Sequence, residues 1–383
     1  MVSDMWQKLW QASRVVWRTP MIVIIGAAFI SLNWASAAHA EITLTDITGR
    51  NVVLPAPATR ILLASSAYYP ALSLLSHNAA DLVVGVGGLQ SGGEFEGERD
   101  LAGKPHLGSI WAQTFSIEKA LELEPDLLIA AIPERGRPAA IEQAFAKTGV
   151  PIVYIDFVED PARNTAPSIE IIGRAIGEEE KAAEFIDFQA RRIERIIDWL
   201  EAARPTRPKL AIISRRSGLP CCWTSAQGSV TTYFGDLNVI NIADGALPGR
   251  LVQLSLEYLV ERDPDIFVAN DLSSGPDSLF GEPRNIAHAM ASLEELATEP
   301  GFRDLAAMRS RRVHAIDVSL MRSPLSILAV EVFAKWIHPE LFADIDPQAT
   351  LDEINRRFLA TPLKGPFWAS LDPASNQPSE KRR

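Results

Sequence analysis

The sequence predicts an α/β fold with two lobes, each built on a parallel sheet, that are joined by one long helix. Short apolar segments alternate with helical stretches before residue 156 and again after residue 208, as in parallel sheets covered by helices. One uninterrupted amphipathic stretch, Glu178–Ala203, separates the two series. Two segments, 116–130 and 255–269, repeat one another, which indicates a shared lobe architecture. The expected organisation is a leader over 1–40, an N-terminal lobe over 41–163, a linking helical segment over 164–204 and a C-terminal lobe over 205–383.

The elements of the N-terminal lobe follow from its apolar runs and turn residues. Residues 42–55 alternate around Thr48-Gly49-Arg50 and predict two short strands. The further strands predicted are Arg60–Ala64, Leu82–Val86, Asp126–Ile132 and Pro151–Ile155, and the helices are Ala67–His77, Ser116–Glu124 and Pro138–Lys147. Residues 87–110 are Gly-rich and polar, which predicts a long surface loop.

The linking helix has apolar or amide side chains at i, i+3 and i+4 spacing, and charges on its other face. Gly177 precedes it and Pro205 follows it, so its ends are well marked. Twenty-six residues at 1.5 Å each give a helix of roughly 39 Å, long enough to brace two lobes.

The α/β rhythm resumes in the C-terminal lobe. The predicted strands are Lys209–Ser214, Asp265–Ala269 and Arg312–Asp317, and the predicted helices are Ser229–Asp236, Ser255–Arg262, Ser323–Trp336 and Leu351–Leu359. The two similar segments read SIEKALELEPDLLIA and SLEYLVERDPDIFVA. In each, a helix capped by Ser presents a Glu, turns at a Pro and enters a buried strand.

The first 40 residues predict a secretory signal peptide. Three cations precede the apolar run Met21–Ile30, and Ala38-His39-Ala40 supplies the small-residue cleavage pattern. The alternative is an N-terminal membrane anchor, for which this apolar run is short. No cysteine follows the run, which excludes a lipid anchor, so we expect a mature chain that starts at Glu41 in an oxidising compartment.

Composition excludes several classes of function. The whole chain of 383 residues has a net charge of −11, and the leader is positive, so the mature chain is still more acidic. An acidic body argues against nucleic acid or an anionic membrane as the main partner. The chain has only two cysteines, Cys221 and Cys222, which exclude a disulfide scaffold and a Cys-rich metal site. Two states remain open for this pair: a strained bridge between neighbours, or two reduced, buried thiols.

Enzyme motifs are incomplete. Gly85-Val86-Gly87 has Gln90 where a dinucleotide-binding loop needs its third glycine. Ser116 and Lys119 fit S-x-x-K, and residues 147–149 fit K-T-G, but the S-D-N element of penicillin-binding proteins is missing. The histidines form no close pair that suggests a metal site, so we expect no enzyme activity, no intrinsic cofactor and no intrinsic metal.

The mature chain resembles the periplasmic substrate-binding proteins of ABC importers, in the class for ferric siderophores, haem and cobalamin. The resemblance is carried by TDITGRNVVLPAPATRILLAS at Thr45–Ser65, the two repeated segments, the single long helix and the run from Val313 to Pro347. It implies two Rossmann-like lobes, a ligand held between them, small hinge motion, a periplasmic location and an ABC permease as partner. It also implies that Glu118 and Glu257 dock on permease arginines. We expect a monomer.

Candidate ligand contacts follow strand ends, because open parallel sheets bind ligands there. Arginines are frequent at these ends, and arginine reads anionic oxygen groups by bidentate contact. The candidates are Tyr68, Tyr69, Trp111, Arg135, Arg215, Arg216, Trp223 and Arg322. An anionic ferric siderophore fits the arginines best. Haem is the first alternative, with Tyr68 or Tyr69 on the iron, cobalamin the second, and an enzyme on the same fold the third.

Overall fold

The computed structural model describes residues 41–88, 100–132, 139–215, 221–249, 251–271, 278–281 and 284–373. The described chain begins with an antiparallel hairpin of β1 (Ile42–Thr45) and β2 (Asn51–Leu54), as the alternating sequence predicts. The Asp46 carboxylate closes its turn, accepting hydrogen bonds from the Thr48 amide (2.9 Å) and the Arg50 guanidinium (2.7 Å).

The N-terminal lobe is built on a parallel sheet of four strands in the order β4-β3-β5-β6. Its strands are β3 (Ile61–Leu63), β4 (Val83–Val86), β5 (Leu127–Ala131) and β6 (Ile152–Ile155). Its helices are α1 (Tyr69–Leu75), α2 (Ala79–Leu82), α3 (Ile117–Glu122) and α4 (Ala139–Thr148), and a 3₁₀ helix over Ser66–Tyr68 leads into α1. The predicted parallel sheet is confirmed, and every residue of β3, β5 and β6 is buried.

The segment between the two sheets is helical, as expected for the linking segment over 164–204, and it contains a shorter helix followed by the predicted long one. The long helix α6 (Glu179–Ala203) has 25 residues, within one residue of the prediction. Before it lies α5 (Pro161–Ile176), capped by Asp160 and ended by Gly177 in the left-handed region. Most of α5 lies within the predicted linking segment, although no separate helix was predicted there, and α5 accommodates Pro167, a residue type that normally ends a helix.

The C-terminal lobe is built on a sheet in the order β13-β12-β11-β7-β9, parallel except for β13. Its strands are β7 (Lys209–Arg215), β9 (Ile240–Asn241), β11 (Ile266–Asp271), β12 (Val313–Asp317) and β13 (Trp368–Ser370); β8 (Trp223–Ser225) and β10 (Leu251–Gln253) form a separate antiparallel ribbon. Its helices are α7 (Leu256–Arg262), α8 (Ile286–Thr298), α9 (Ala306–Arg309), α10 (Val318–Met321), α11 (Ser326–Ile337) and α12 (Pro347–Arg357). The helix predicted over Ser229–Asp236 is a short 3₁₀ helix, Ser229–Tyr233, in a segment of Ser, Val and Thr that favours α-helix weakly.

One hydrophobic core runs through both lobes. It contains buried residues of the first sheet, of helix α6 and of α11 and α12. The ring of Phe358 packs edge-on against Phe185 and Phe188 of α6, with centroids 5.0 and 5.3 Å away. A second cluster fills the other face of the C-terminal sheet. Because α6 belongs to the shared core, it holds the lobes as one packed unit.

None of the helices in the described ranges is long and apolar enough to cross a membrane. The leader predicted over 1–40 lies outside the described residues.

Candidate functional site

The carboxyl edge of the N-terminal sheet is formed by close backbone contacts. The Gly87 amide donates to the Leu63 carbonyl at 2.7 Å, and a Cβ on Gly87 would lie 2.5 Å from the Ala64 carbonyl oxygen. Gly88 adopts φ +115° beside Ser65, whose hydroxyl caps the 3₁₀ helix. Gly87 and Gly88 therefore allow two strand ends to touch, which accounts for glycines here without a dinucleotide site.

Tyr68 and Tyr69 follow β3, as predicted, but both are buried, with 7% and 3% of their surfaces exposed. The Tyr69 hydroxyl donates to the Asp100 carboxylate at 3.1 Å. Burial and the negative charge of Asp100 raise the pKa of Tyr69. The phenol of Tyr69 is therefore held in its neutral form by a protein carboxylate. Trp111 differs from both, since half of its surface is exposed.

Charged residues form a row across the carboxyl edge of the C-terminal sheet. Arg215 of β7 lies beside Asp271 of β11, which lies beside Asp317 of β12. Asp271 accepts hydrogen bonds from the Ser278 hydroxyl (2.6 Å) and the Leu279 amide (2.8 Å). The two carboxylates were not predicted from the sequence, although each directly ends a predicted strand or follows it closely.

Arg284 is a further cation at this edge that the sequence analysis missed. Its guanidinium forms an ion pair with Asp317, and one-fifth of its side-chain surface is exposed. The rings of Phe280 and Phe367 lie 5.7 and 5.1 Å from the guanidinium carbon, and the Pro366 carbonyl lies at 3.5 Å. These contacts orient the guanidinium, while one-fifth of the side chain as a whole stays exposed. Arg284 escaped prediction because it follows no strand in sequence.

The other candidates differ in where they lie. Arg322 follows α10 and is exposed, and Trp223 is half-buried in β8. Arg215 ends β7, but its side chain lies outside the described residues, as do Arg135 and Arg216 entirely.

Carboxylates balance the cations at these edges. Asp156 follows β6 and accepts hydrogen bonds from three backbone amides and the Asn164 side chain, so its charge is internally satisfied.

Beside Asp271, the buried side-chain carbonyl of Asn270 has no hydrogen-bond partner within the described ranges. A buried acceptor without a donor costs roughly 1–3 kcal/mol, so this oxygen is a candidate contact for a donor on a ligand. Among the residues described, no group of three or more His, Cys, Asp or Glu could hold a metal ion.

Glu118 and Glu257 occupy matching positions in the two lobes. Each is exposed and lies in the first turn of its helix, just after a serine whose hydroxyl caps that helix. The hydrogen bonds of Glu257 with its own backbone amide and with Ser255 hold the pKa of this exposed carboxyl below its usual range.

The likeness of the two segments continues to their ends. Glu124 and Asp263 both adopt positive φ before proline. The next aspartates, Asp126 and Asp265, both accept a hydrogen bond from a backbone amide at or just before the start of the neighbouring strand. The repeat seen in the sequence is thus a structural repeat.

Cys221 and Cys222 are joined in a disulfide. Cys222 is fully buried in the second core cluster, whereas Cys221 is exposed. The carbonyls of both residues accept hydrogen bonds, from Leu254 and from the Gln253 side chain, which fix the pair to β10.

Comparison with solved structures places the architecture among known proteins. A TroA-like periplasmic binding protein, FepB from Veillonella parvula, has 25% identity and a TM-score of 0.78, covering 86% of this chain and 99% of that one. The molybdate-binding protein MolA of Haemophilus influenzae, with molybdate bound, has 16% identity and a TM-score of 0.65 over 84% and 99%. A periplasmic haem-binding protein from Pseudomonas aeruginosa has 18% identity and a TM-score of 0.57 over 82% and 97%.

No curated protein matches this chain. The family model described as "Periplasmic binding protein" matches residues 72–320, which is well over half of the sequence. Together with two parallel sheets joined through a long helix, this match shows that the chain belongs to the periplasmic binding protein family.

Proposed function

We propose that this protein captures an iron chelate between the carboxyl edges of its two sheets and delivers it to an ABC permease of the inner membrane. The family match and the similarity to the periplasmic binding protein FepB, which extends over 99% of that chain, support capture and delivery of a small ligand. Three structural neighbours bind haem, a nickel–histidine complex and molybdate, so metal-containing ligands recur among them and favour a metal chelate here.

An anionic ferric siderophore remains the preferred ligand class. Arg284 supports it, because its guanidinium is oriented by Asp317 and by two aromatic rings while its side chain remains partly exposed. Carboxylate and catecholate oxygens are suitable acceptors for the paired N–H donors of a guanidinium. The commitment of the Tyr69 hydroxyl to Asp100 weighs against haem ligation by that residue.

The test is a titration of the mature protein, from Glu41 onward, followed by tryptophan fluorescence. The probes are ferric citrate, a ferric complex of 2,3-dihydroxybenzoate, haemin and cyanocobalamin. Each is compared with its metal-free form or with a titration that contains no probe. Saturable binding of a ferric carboxylate or catecholate, with the chelate recovered unchanged, supports the proposal. Binding of haemin or cobalamin alone, or conversion of the chelate to a product, contradicts it.

A matched pair of variants then locates the site. Arg284→Gln removes the oriented guanidinium, whereas Arg303→Gln removes an arginine whose side chain is two-thirds exposed. Only the first change weakens binding if the ligand lies at this edge.

A further inference from the structure

Three side chains from three separate segments meet where the two lobes touch. Tyr69 begins α1, and Asp100 lies in the turn that leads back toward β4; both belong to the N-terminal lobe. Thr361 follows α12 in the C-terminal lobe. One carboxylate oxygen of Asp100 accepts from the Tyr69 hydroxyl at 3.1 Å, and the other accepts from the Thr361 hydroxyl at 3.2 Å. A single carboxylate thus bridges the lobes.

The surroundings of this bridge are closely packed. Beneath it lies a cavity of only about 10 Å³, too small for a ligand. Its lining comes from both lobes, with Leu74 on one side and Leu325, Leu359 and Leu363 on the other. Tyr69 is buried, whereas Thr361 lies at the surface, so the bridge runs from the core to solvent.

Both ends of the bridge are fixed to rigid elements. On the C-terminal side, the Asn355 amide group pairs twice with the backbone of Leu363, at 3.0 and 2.9 Å, and so anchors the segment that carries Thr361. On the N-terminal side, Tyr69 is part of α1, which packs against α5 and α6. A hydrogen bond between two anchored groups constrains their relative position, because neither side chain can adjust freely.

We propose that Asp100 is a positioning residue, an interlobe clasp that works with Tyr69 and Thr361 to fix the angle between the lobes beside helix α6. The clasp sets the separation of the two carboxyl edges, and to that extent it rests on the proposed function. In this proposal Tyr69 belongs to the contact that fixes the two lobes and is no longer a candidate ligand contact.

Hydrogen exchange of the unliganded mature protein tests the clasp without any ligand. Asp100→Ala changes the N-terminal lobe, and the readout is amide exchange over residues 359–363 of the C-terminal lobe. We expect exchange there to become about three- to tenfold faster, as for loss of a partly exposed charged hydrogen bond. Asp100→Asn keeps one acceptor oxygen and restores part of the protection. Glu122→Ala, which removes an exposed carboxylate from the end of α3 in the same lobe, is the matched control and leaves the exchange unchanged.

Two milder variants keep the test decisive if Asp100→Ala does not fold. Thr361→Val and Tyr69→Phe each delete one hydroxyl and preserve shape. If the clasp acts as one unit, a double variant with both Thr361→Val and Asp100→Asn should change the interlobe dimensions no more than the stronger of the two single variants does. Small-angle scattering measures these dimensions. Unchanged exchange and scattering in the folded variants would overturn the clasp. A failure of all four metal-complex probes to bind would contradict the proposed function, yet it would not alter these measurements.

Discussion

Glu331 lies in α11 where that helix packs against α6, and its burial predicts a specific pH dependence of stability. Only 5% of the residue is exposed. Burial raises the pKa of Glu331 from 4.5 to about 7. A hydrogen bond with Thr350 and the positive charges of Arg192 and Arg195 act to lower this pKa, but burial outweighs them. The Arg192 guanidinium lies 3.5 Å from one carboxylate oxygen, and the other oxygen has no hydrogen-bond partner within the described ranges.

The sign of the effect follows from proton binding. In the folded protein Glu331 keeps its proton up to about pH 7, whereas in the unfolded chain it loses the proton near pH 4.5. The folded state therefore binds more protons between these values, so its stability falls as pH rises. The rise of the pKa from 4.5 to about 7 corresponds to about 3 kcal/mol of folding stability, which is lost almost entirely between about pH 4.5 and pH 8.

Glu331→Gln removes this loss because glutamine has nearly the same shape and never ionises. Urea unfolding, followed by circular dichroism at constant ionic strength, gives the free energy of unfolding at each pH. The variant should gain about 3 kcal/mol relative to the parent between about pH 4.5 and pH 8. Glu340→Gln, an exposed carboxyl just beyond α11, is the control and should show no such trend. A stability difference between Glu331→Gln and the parent that stays flat across this range would refute the reasoning.

Three further predictions concern ligand, permease and redox state. Arg284→Gln should weaken binding of an anionic chelate by about 10- to 100-fold and reduce its salt dependence, as loss of a charged hydrogen bond implies; an unchanged dissociation constant by titration calorimetry contradicts this. Glu118→Ala combined with Glu257→Ala should abolish uptake by cells while affinity for the chelate stays within about twofold, well below the 1.4 kcal/mol of a tenfold change; loss of binding would place them at the ligand instead. Cys221 and Cys222 should resist alkylation under denaturing conditions until a reductant is added, and two alkyl groups without reductant, seen by intact mass, would mean free thiols.

Much of the fold follows from the sequence because its signals are local. Helix α6 was predicted to within one residue, since Gly177 and Pro205 mark its ends and its apolar stripe is continuous. The parallel strands β5 and β11 were predicted because each is a short apolar run after a proline turn. Helix α8 was not among the predicted elements, although Asn285 caps it and its buried residues recur at helical spacing, so its sequence does contain the signal of an amphipathic helix.

The candidate site was less predictable because its contacts join distant segments. Arg284 meets Asp317 and Phe367 only after the sheet has formed, and β13 must pair with β12 to bring Phe367 there. Likewise, Asp100 and Thr361 are 261 positions apart, and no pattern in either segment indicates the other.

The charges of the site illustrate the same limit. The residues predicted to bind an anion after the strands are arginines, whereas the folded edges also contain Asp156, Asp271 and Asp317. Backbone amides and hydroxyls satisfy the first two, and Arg284 neutralises the third. A count of cations along the chain therefore overstates the positive charge that a ligand meets. What distinguishes Arg284 is its orientation: a carboxylate holds one edge of its guanidinium and two rings lie nearby, so binding a ligand there requires little further ordering of the side chain.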